Sequence, residues 1–366
     1  MTDETSDNLY DTDGSELYGD AYDSAEKPIF SNVSSFRNLP VTRDVDGLED
    51  TDPDIAIVGA PLDTGTTARP GARYGPQAIR AGFTEPSPPY CHFNVETGVD
   101  PFDTLKVVDN GDVAITPGDT RASLDEIEDR IEAIAERGIC PFVLGGDHSI
   151  TYPNVKGWAE ANGYENVGLI HIDAHADTGD GEGFEYDHAT FVTNLVESGL
   201  VDGENYTLIG SRGFWPPDAY EDMREAGMNW YTASEVAQQE TTAIAAEAVE
   251  RAQDGTDAVW LSFDVDALDP AYAPGTGTPV TGGLTSREAF ALVRTMATEF
   301  DADSFGFDVV EVAPQLDTST SELNGGITAN FANRLCLEVM GGLALSEMGL
   351  DSGSPIKPAD RDENPS

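Results

Sequence analysis

The chain has five histidines, and three of them lie in or near short acidic motifs. His148 stands in Gly145-Gly146-Asp147-His148-Ser149. His175 stands in Asp173-Ala174-His175-Ala176-Asp177. A further acidic pair, Asp264-Val265-Asp266, has the same alternate spacing. Side chains alternate along an extended chain, so Asp173, His175 and Asp177 project together, as do Asp264 and Asp266. Four carboxylates gathered without a cation would repel and shift one another's pKa. Two divalent cations remove that repulsion. Ligation rich in oxygen, with two imidazoles and no thiolate, suits Mn²⁺ better than a structural Zn²⁺. His148, Asp173, His175, Asp177, Asp264 and Asp266 are therefore the candidate ligands of a two-metal hydrolytic centre. Asp147 is expected to orient His148, and His92 and His171 are assigned to structure.

Each motif follows a short apolar run. Asp54–Ala60, Leu105–Asn110, Ile139–Gly145, Val167–Ile172, Tyr206–Gly210, Ala258–Phe263 and Phe305–Val310 read as strands buried on both faces. Helical patterns lie between them. Ser123 and Glu126 suggest a capping box before the stripe Leu124, Ile127, Ile131 and Ile134, and Thr285 and Glu288 suggest another. Thr241–Gln253 is rich in helix-forming Ala and Glu. The alternation predicts one doubly wound α/β domain of three layers around a mainly parallel sheet. Sites in such sheets form at the carboxyl ends of strands, where these motifs fall.

The motifs Gly145–Thr151 (GGDHSIT), His171–Asp177 (HIDAHAD), Ser262–Pro270 (SFDVDALDP), Pro274–Glu288 and Asp63–Arg80 resemble the ureohydrolase (arginase/agmatinase) family, the last being similar to its agmatinase-like branch. The resemblance runs from about Phe36 to about Met348. It implies an α-β-α domain with a sheet of about eight strands and two Mn²⁺ ions, with Ni²⁺ as the alternative. It also implies hydrolysis of a guanidino compound, agmatine foremost, to urea and an amine (putrescine). By the resemblance, His148 and Asp177 bind one metal, His175 and Asp266 the other, and Asp173 and Asp264 bridge them. Glu311 holds the guanidinium, and His188 passes a proton to the departing amine. Where the family pattern has His-Gly, this chain has Ala189 after His188. The alternatives are a guanidinobutyrase or guanidinopropionase, a guanidine hydrolase or an arginase. Outside that activity lie a zinc deacetylase of the same fold and a catalytically inactive homologue. A deacetylase would lack His148 and Asp177, and an inactive homologue would lack Glu311 or His188; all four are present. The family's trimers and hexamers imply a homo-oligomer.

Two loops are candidates for specificity. In Ser211–Tyr220, Arg212 is a candidate partner for a substrate carboxylate and Trp215 for closing the pocket. The acidic loop Asp180–Asp187 favours a cationic substrate tail instead. Arg69 and Arg73 read as structural residues around a tight turn at Pro70-Gly71.

Charge sets the wider context. The 366 residues carry 68 Asp and Glu against 19 Lys and Arg, a net charge of −49. Such a polyanion repels nucleic acid and anionic membranes, which excludes both as partners. The composition reads as adaptation to a very salty cytoplasm, where at molar salt the Debye length falls to about 3 Å. Cys91, Cys140 and Cys336 read as separate buried thiols. No signal pattern and no long apolar span is present, which predicts a cytoplasmic protein. Residues 1–30 are acidic and predicted to be disordered, residues 31–350 form the domain, and residues 351–366 are a polar tail.

Overall fold

The computed structural model describes residues 35–42, 44–82, 92–181, 186–317 and 326–352. The expectations for the N-terminal tail, for residues 353–366 and for Cys91 fall outside the described residues. Eight strands form a single sheet: β1 (Ile55–Ala60), β2 (Val107–Asp112), β3 (Cys140–Gly145), β4 (Val167–Ile172), β5 (Tyr206–Ser211), β6 (Asn229–Thr232), β7 (Ala258–Asp264) and β8 (Phe305–Val310). Their order is β2-β1-β3-β8-β7-β4-β5-β6, and all the pairings are parallel. Seven strands match the apolar runs. The eighth, β6, is a four-residue edge strand of sequence NWYT, half-buried throughout. It lacks the fully apolar character that marks the others.

The strands alternate between two cores, which makes the domain three-layered. Ile170 and Ile172 of β4, Phe142 of β3 and Leu261 and Phe263 of β7 pack with helices α1 (Gly75–Ala81), α5 (Thr241–Gln253), α6 (Ser286–Ala297) and α7 (Gly326–Glu347). Val167 and Leu169, Val143 and Trp260 pack on the other face with α2 (Thr120–Ala135), α3 (Thr151–Asn162) and α4 (Phe191–Ser198). Period-two strands thus feed apolar side chains to both helical layers. The capping box at Thr285 and Glu288 is present and starts α6. The one at Ser123 is not: α2 begins a turn earlier, where the Asp119 side chain accepts from Ala122 N, and Ser123 Oγ donates back to Asp119 O. Cys140 and Cys336 are buried free thiols, and burial pushes both thiol pKa values up. Among the described residues, no helix is long and apolar enough to cross a membrane.

The central four strands are neighbours in the order β3-β8-β7-β4. Their carboxyl ends lead into His148, Glu311, Asp264 with Asp266, and Asp173 to Asp177 respectively. Topology alone therefore gathers four motifs that are far apart in the chain.

Candidate active site

The orientation of His148 follows from a buried hydrogen-bond chain. Asp308, fully buried in β8, accepts at Oδ2 from Trp260 Nε1 (3.0 Å), Asn154 Nδ2 (3.1 Å) and Thr151 Oγ1 (2.9 Å), and at Oδ1 from Ser262 Oγ (2.6 Å). Because Ser262 gives its proton to Asp308, it meets His148 Nε2 at 2.8 Å as the acceptor. His148 therefore carries its proton on Nε2. Its ring also stacks on Phe191, with centroids 4.3 Å apart. The bond to Ser262 leaves Nδ1, buried and outside that chain, as the nitrogen that faces the acids. It faces Asp173 Oδ2 at 3.1 Å, Asp177 Oδ2 at 3.0 Å and Asp264 Oδ2 at 3.4 Å. Burial opposes a charge on this ring, but Asp173, Asp177 and Asp264 push the His148 pKa well above the ordinary imidazole value. Without a metal a proton therefore sits among them on Nδ1, and a divalent cation would take that proton's place.

A second cluster adjoins the first through Asp173. His175 Nδ1 lies 3.3 Å from Asp173 Oδ1 and 3.1 Å from Asp266 Oδ2. Backbone amides lock the acids: His175 N donates to Asp173 Oδ1 at 2.6 Å, Asp266 N to Asp264 Oδ1 at 2.7 Å and Ala174 N to Asp266 Oδ1 at 3.3 Å. Thr278 Oγ1 donates to Asp266 Oδ2 at 2.9 Å. His148, His171, Asp173 and Asp177 bring ligand atoms within metal-binding reach of one another, as do Asp173, His175 and Asp266. The electrostatics point the same way. Burial and the like charges of Asp266 and Asp173 push Asp264 well above the usual carboxylate range. Burial, then Asp173, raises Asp266 to about 6. Burial opposes charge on Asp173 as well, but the neighbouring His171, His148 and His175 hold it well below that range. The set is short of positive charge, and divalent cations would supply it.

Glu311 and His188 lie beside this cluster. Glu311 adopts φ 63° and Asp177 φ 49°, left-handed conformations that non-glycine residues seldom take and that concentrate at functional sites. Glu311 Oε1 accepts from His148 N at 3.1 Å and meets His188 Nδ1 at 3.0 Å. On the far side of the ring, His188 Nε2 lies 3.2 Å from Thr67 N and 2.8 Å from Thr67 Oγ1. Thr67 can serve both protonation states: its N–H donates to the neutral ring and its Oγ1 accepts from the charged one. Burial lowers the imidazole pKa, but the hydrogen bond and charge of Glu311, with Asp177 and Asp147, hold it up at about 9. His188 N donates to Gly65 O at 3.0 Å, and Gly65 N donates to Asp147 Oδ2 at 2.7 Å. Asp147 thus anchors the loop that grips His188; it caps the turn at Ser149 rather than bonding the His148 ring.

The structure brings all six ligand candidates, Glu311 and His188 to one place. Ala189 adopts no left-handed backbone, so the turn after His188 does not require glycine. His171 has a more direct part than an ordinary core histidine. Its Nε2 lies 2.9 Å from Asp173 Oδ2 and its Nδ1 2.9 Å from Tyr206 Oη, so it fixes the Asp173 carboxylate. His92 packs edge-on against Phe102. Arg69 donates to the carbonyls of Thr276 and Gly277, and Arg73 pairs with Asp63, whose Oδ2 also accepts from Gly71 N, so both arginines are structural.

Arg212 corrects its expectation. Its Nε donates to Val280 O at 3.1 Å, and its Nη1 to Gly210 O and Ala267 O at 3.0 Å each. Its Nη2 donates to Asp266 O at 2.6 Å, Leu268 O at 3.1 Å and Val280 O at 2.6 Å. A guanidinium has five N–H groups, so none is left for a substrate carboxylate. Trp215 lines, with Arg212, Tyr220 and Trp230, a cleft of about 420 Å³ beside the β5–β6 edge. Ser262, Asp308, Tyr206 and Thr67 were not singled out from the sequence. A lone acid in the apolar strand FGFDVV was the one available signal for Asp308.

Known proteins resemble this chain in sequence and in fold. The Arginase family matches residues 53–342. The mitochondrial agmatinase of Gallus gallus is 40% identical over 310 residues, which cover 84% of this chain and 85% of that protein. The guanidinobutyrase of Pseudomonas aeruginosa is 38% identical over 297 residues, covering 80% of this chain and 89% of that one. Among solved structures, the proclavaminate amidino hydrolase from Streptomyces clavuligerus superposes with a TM-score of 0.75 at 33% identity, over 87% of this chain and 100% of that one. With the family's span extending from the strand before the first loop to the last helix, this chain belongs to the arginase family.

Proposed function

We propose that the chain is a binuclear manganese amidinohydrolase that releases urea from a small guanidino amine, with agmatine as the substrate. The observation that carries this reading is the convergence of His148 Nδ1 with three carboxylate oxygens, next to the cluster of Asp173, His175 and Asp266. His148 and Asp177 would hold one ion, His175 and Asp266 the other, and Asp173 and Asp264 would bridge. The donor set, four carboxylates and two imidazoles, fits hard to borderline divalent cations. Such ions, when bound, supply hydroxide at neutral pH by lowering the pKa of water to about 7.

The remaining steps fall to the chain's own side chains. Both hydrogen bonds of the Glu311 carboxylate go to Oε1, which leaves Oε2 for a guanidinium N–H. A charge-assisted pairing there fixes the guanidinium plane and orients its carbon. His188 holds a proton between Glu311 and Thr67 and is the group that would pass one to the departing amine. For the substrate's far end, Arg212 has no donor to offer an anionic tail, which supports a cationic one. The similarity to a guanidinobutyrase at 38% identity supports the second reading, a guanidino acid.

Urea release from agmatine, 4-guanidinobutyrate, 3-guanidinopropionate, arginine and guanidine, measured with Mn²⁺ in molar KCl, tests the assignment. Agmatine is expected to give the highest kcat/KM. Preference for a guanidino acid would overturn the substrate, and preference for free guanidine, above all with Ni²⁺, would overturn both substrate and metal.

A further inference from the structure

We propose that Arg212 is a positioning residue for one half of the metal site, a clamp that sets where Asp266 stands. The inference rests on the reading of Asp266 and His175 as ligands of one ion. Arg212 ties together three segments distant in sequence. They are the end of β5 at Gly210, the turn after β7 at Asp266, Ala267 and Leu268, and the loop at Val280. All of the acceptors of its guanidinium are backbone carbonyls, so it fixes main-chain positions while its charge faces several acids, Asp266 first among them. The Asp266 carboxylate is held by the same device from both sides. Its own carbonyl is on the clamp, and Thr278, whose hydroxyl donates to Asp266 Oδ2, lies two residues before the clamped Val280.

The surroundings are shaped to the guanidinium. A Cβ at Gly283 would lie 2.6 Å from Arg212 Nη2 and 2.5 Å from Asp269 N and Leu268 C. A glycine is therefore needed for the loop to close over the clamp. Lysine cannot replace this fork, because an ammonium has only three N–H groups and no planar array. The His148 half of the site has different support. Its ring is oriented by Ser262 and Asp308, and none of the Arg212 bonds reaches that chain. The Arg212 guanidinium and the Ser262–Asp308 chain are thus separate hydrogen-bond networks, one on each half.

This separation makes the role testable by metal binding rather than by turnover. Full-length wild type, Arg212→Lys, Arg212→Met and Gly283→Ala would be titrated with Mn²⁺ by calorimetry, and their manganese followed by electron paramagnetic resonance. Wild type is expected to hold two ions with a spin-coupled spectrum. Each variant is expected to keep one ion at wild-type affinity, lose about tenfold or more on the other, and show the six-line spectrum of an isolated ion. Gly283→Ala keeps the arginine in the sequence but crowds its Nη2 out of position, and carries the test should the arginine variants fail to fold. Two ions at wild-type affinity in the variants would overturn the proposal. Equal weakening of both ions, the mark of general structural damage, would also overturn it. A wild-type chain that holds fewer than two ions would overturn the metal reading beneath it.

Discussion

Replacing Asp308 by asparagine should change which nitrogen of His148 carries the proton, without altering any group that would touch a metal. In the native chain Asp308 takes the Ser262 proton, so Ser262 accepts from His148 Nε2 and Nδ1 is the nitrogen that a metal could take. An asparagine there has one acceptor end and one donor end. Trp260 Nε1 and Asn154 Nδ2 only donate, so the amide oxygen must face them. The amide nitrogen then faces Ser262 and donates to it. Ser262 turns its own proton toward His148 Nε2, and the imidazole proton moves to Nδ1, the atom aimed at the carboxylates. The apo fold should tolerate this, since three of the four bonds to residue 308 survive and a buried charge, whose pKa burial pushes up, is removed. Metal binding should not tolerate it. Partners that orient a metal-binding histidine typically contribute about 10–100-fold to affinity, or about 1.4–2.8 kcal/mol. The loss should fall on the His148 ion and spare the ion at His175. Calorimetric titration of Asp308→Asn with Mn²⁺ measures this directly. Wild-type affinity for both ions, with the variant folded, would refute the tautomer argument.

Other predictions concern stability. Burial, above all other causes, raises Asp100 to about 6 in the folded chain, although Phe102 N donates to its Oδ1 at 3.0 Å. A carboxyl whose folded pKa exceeds the unfolded one favours folding only while protonated. Its contribution is full below pH about 4 and lost as pH rises through about 6. Asp100→Asn keeps the acceptor and removes the charge. It should stabilise the chain at pH 7 by up to about 3 kcal/mol, measured by denaturant unfolding, and flatten the slope between pH 4 and 6; an unchanged slope would contradict the assignment. The net charge of −49 should make Tm rise between 0.1 M and 1 M KCl, as the Debye length shortens from about 10 Å to about 3 Å. A flat or falling Tm in scanning calorimetry would count against the high-salt reading.

The parts of this molecule that were legible in the sequence are those where one local pattern carries the information. Seven strands announce themselves as apolar runs because both faces are buried, and the ligand motifs announce themselves by sitting where those runs end. The edge strand β6 does not, because an edge strand of Asn, Trp, Tyr and Thr needs only half its surface covered. Strand order could not be read either, since the pairing of β3 with β8 joins segments more than 160 residues apart. The same distance hides the supporting residues. Ser262 and Asp308 look like ordinary strand positions until the sheet places them under His148. Arg212 looks like a loop arginine free to bind a carboxylate, but its acceptors are carbonyls up to 68 residues away. Sequence spacing reveals groups that act side by side on one segment. It does not reveal how the remaining donors and acceptors are used.

The central claim is that six side chains at the ends of neighbouring strands form a metal centre that hydrolyses a guanidino group. Urea production from agmatine by the chain reconstituted with Mn²⁺, set beside Asp264→Ala under the same conditions, tests it most directly. The account predicts stoichiometric urea and amine from wild type and none from the variant, whose bridging carboxylate is gone. Wild type with two ions bound and no urea from any guanidino compound, or an Asp264→Ala chain as active as wild type, would contradict it.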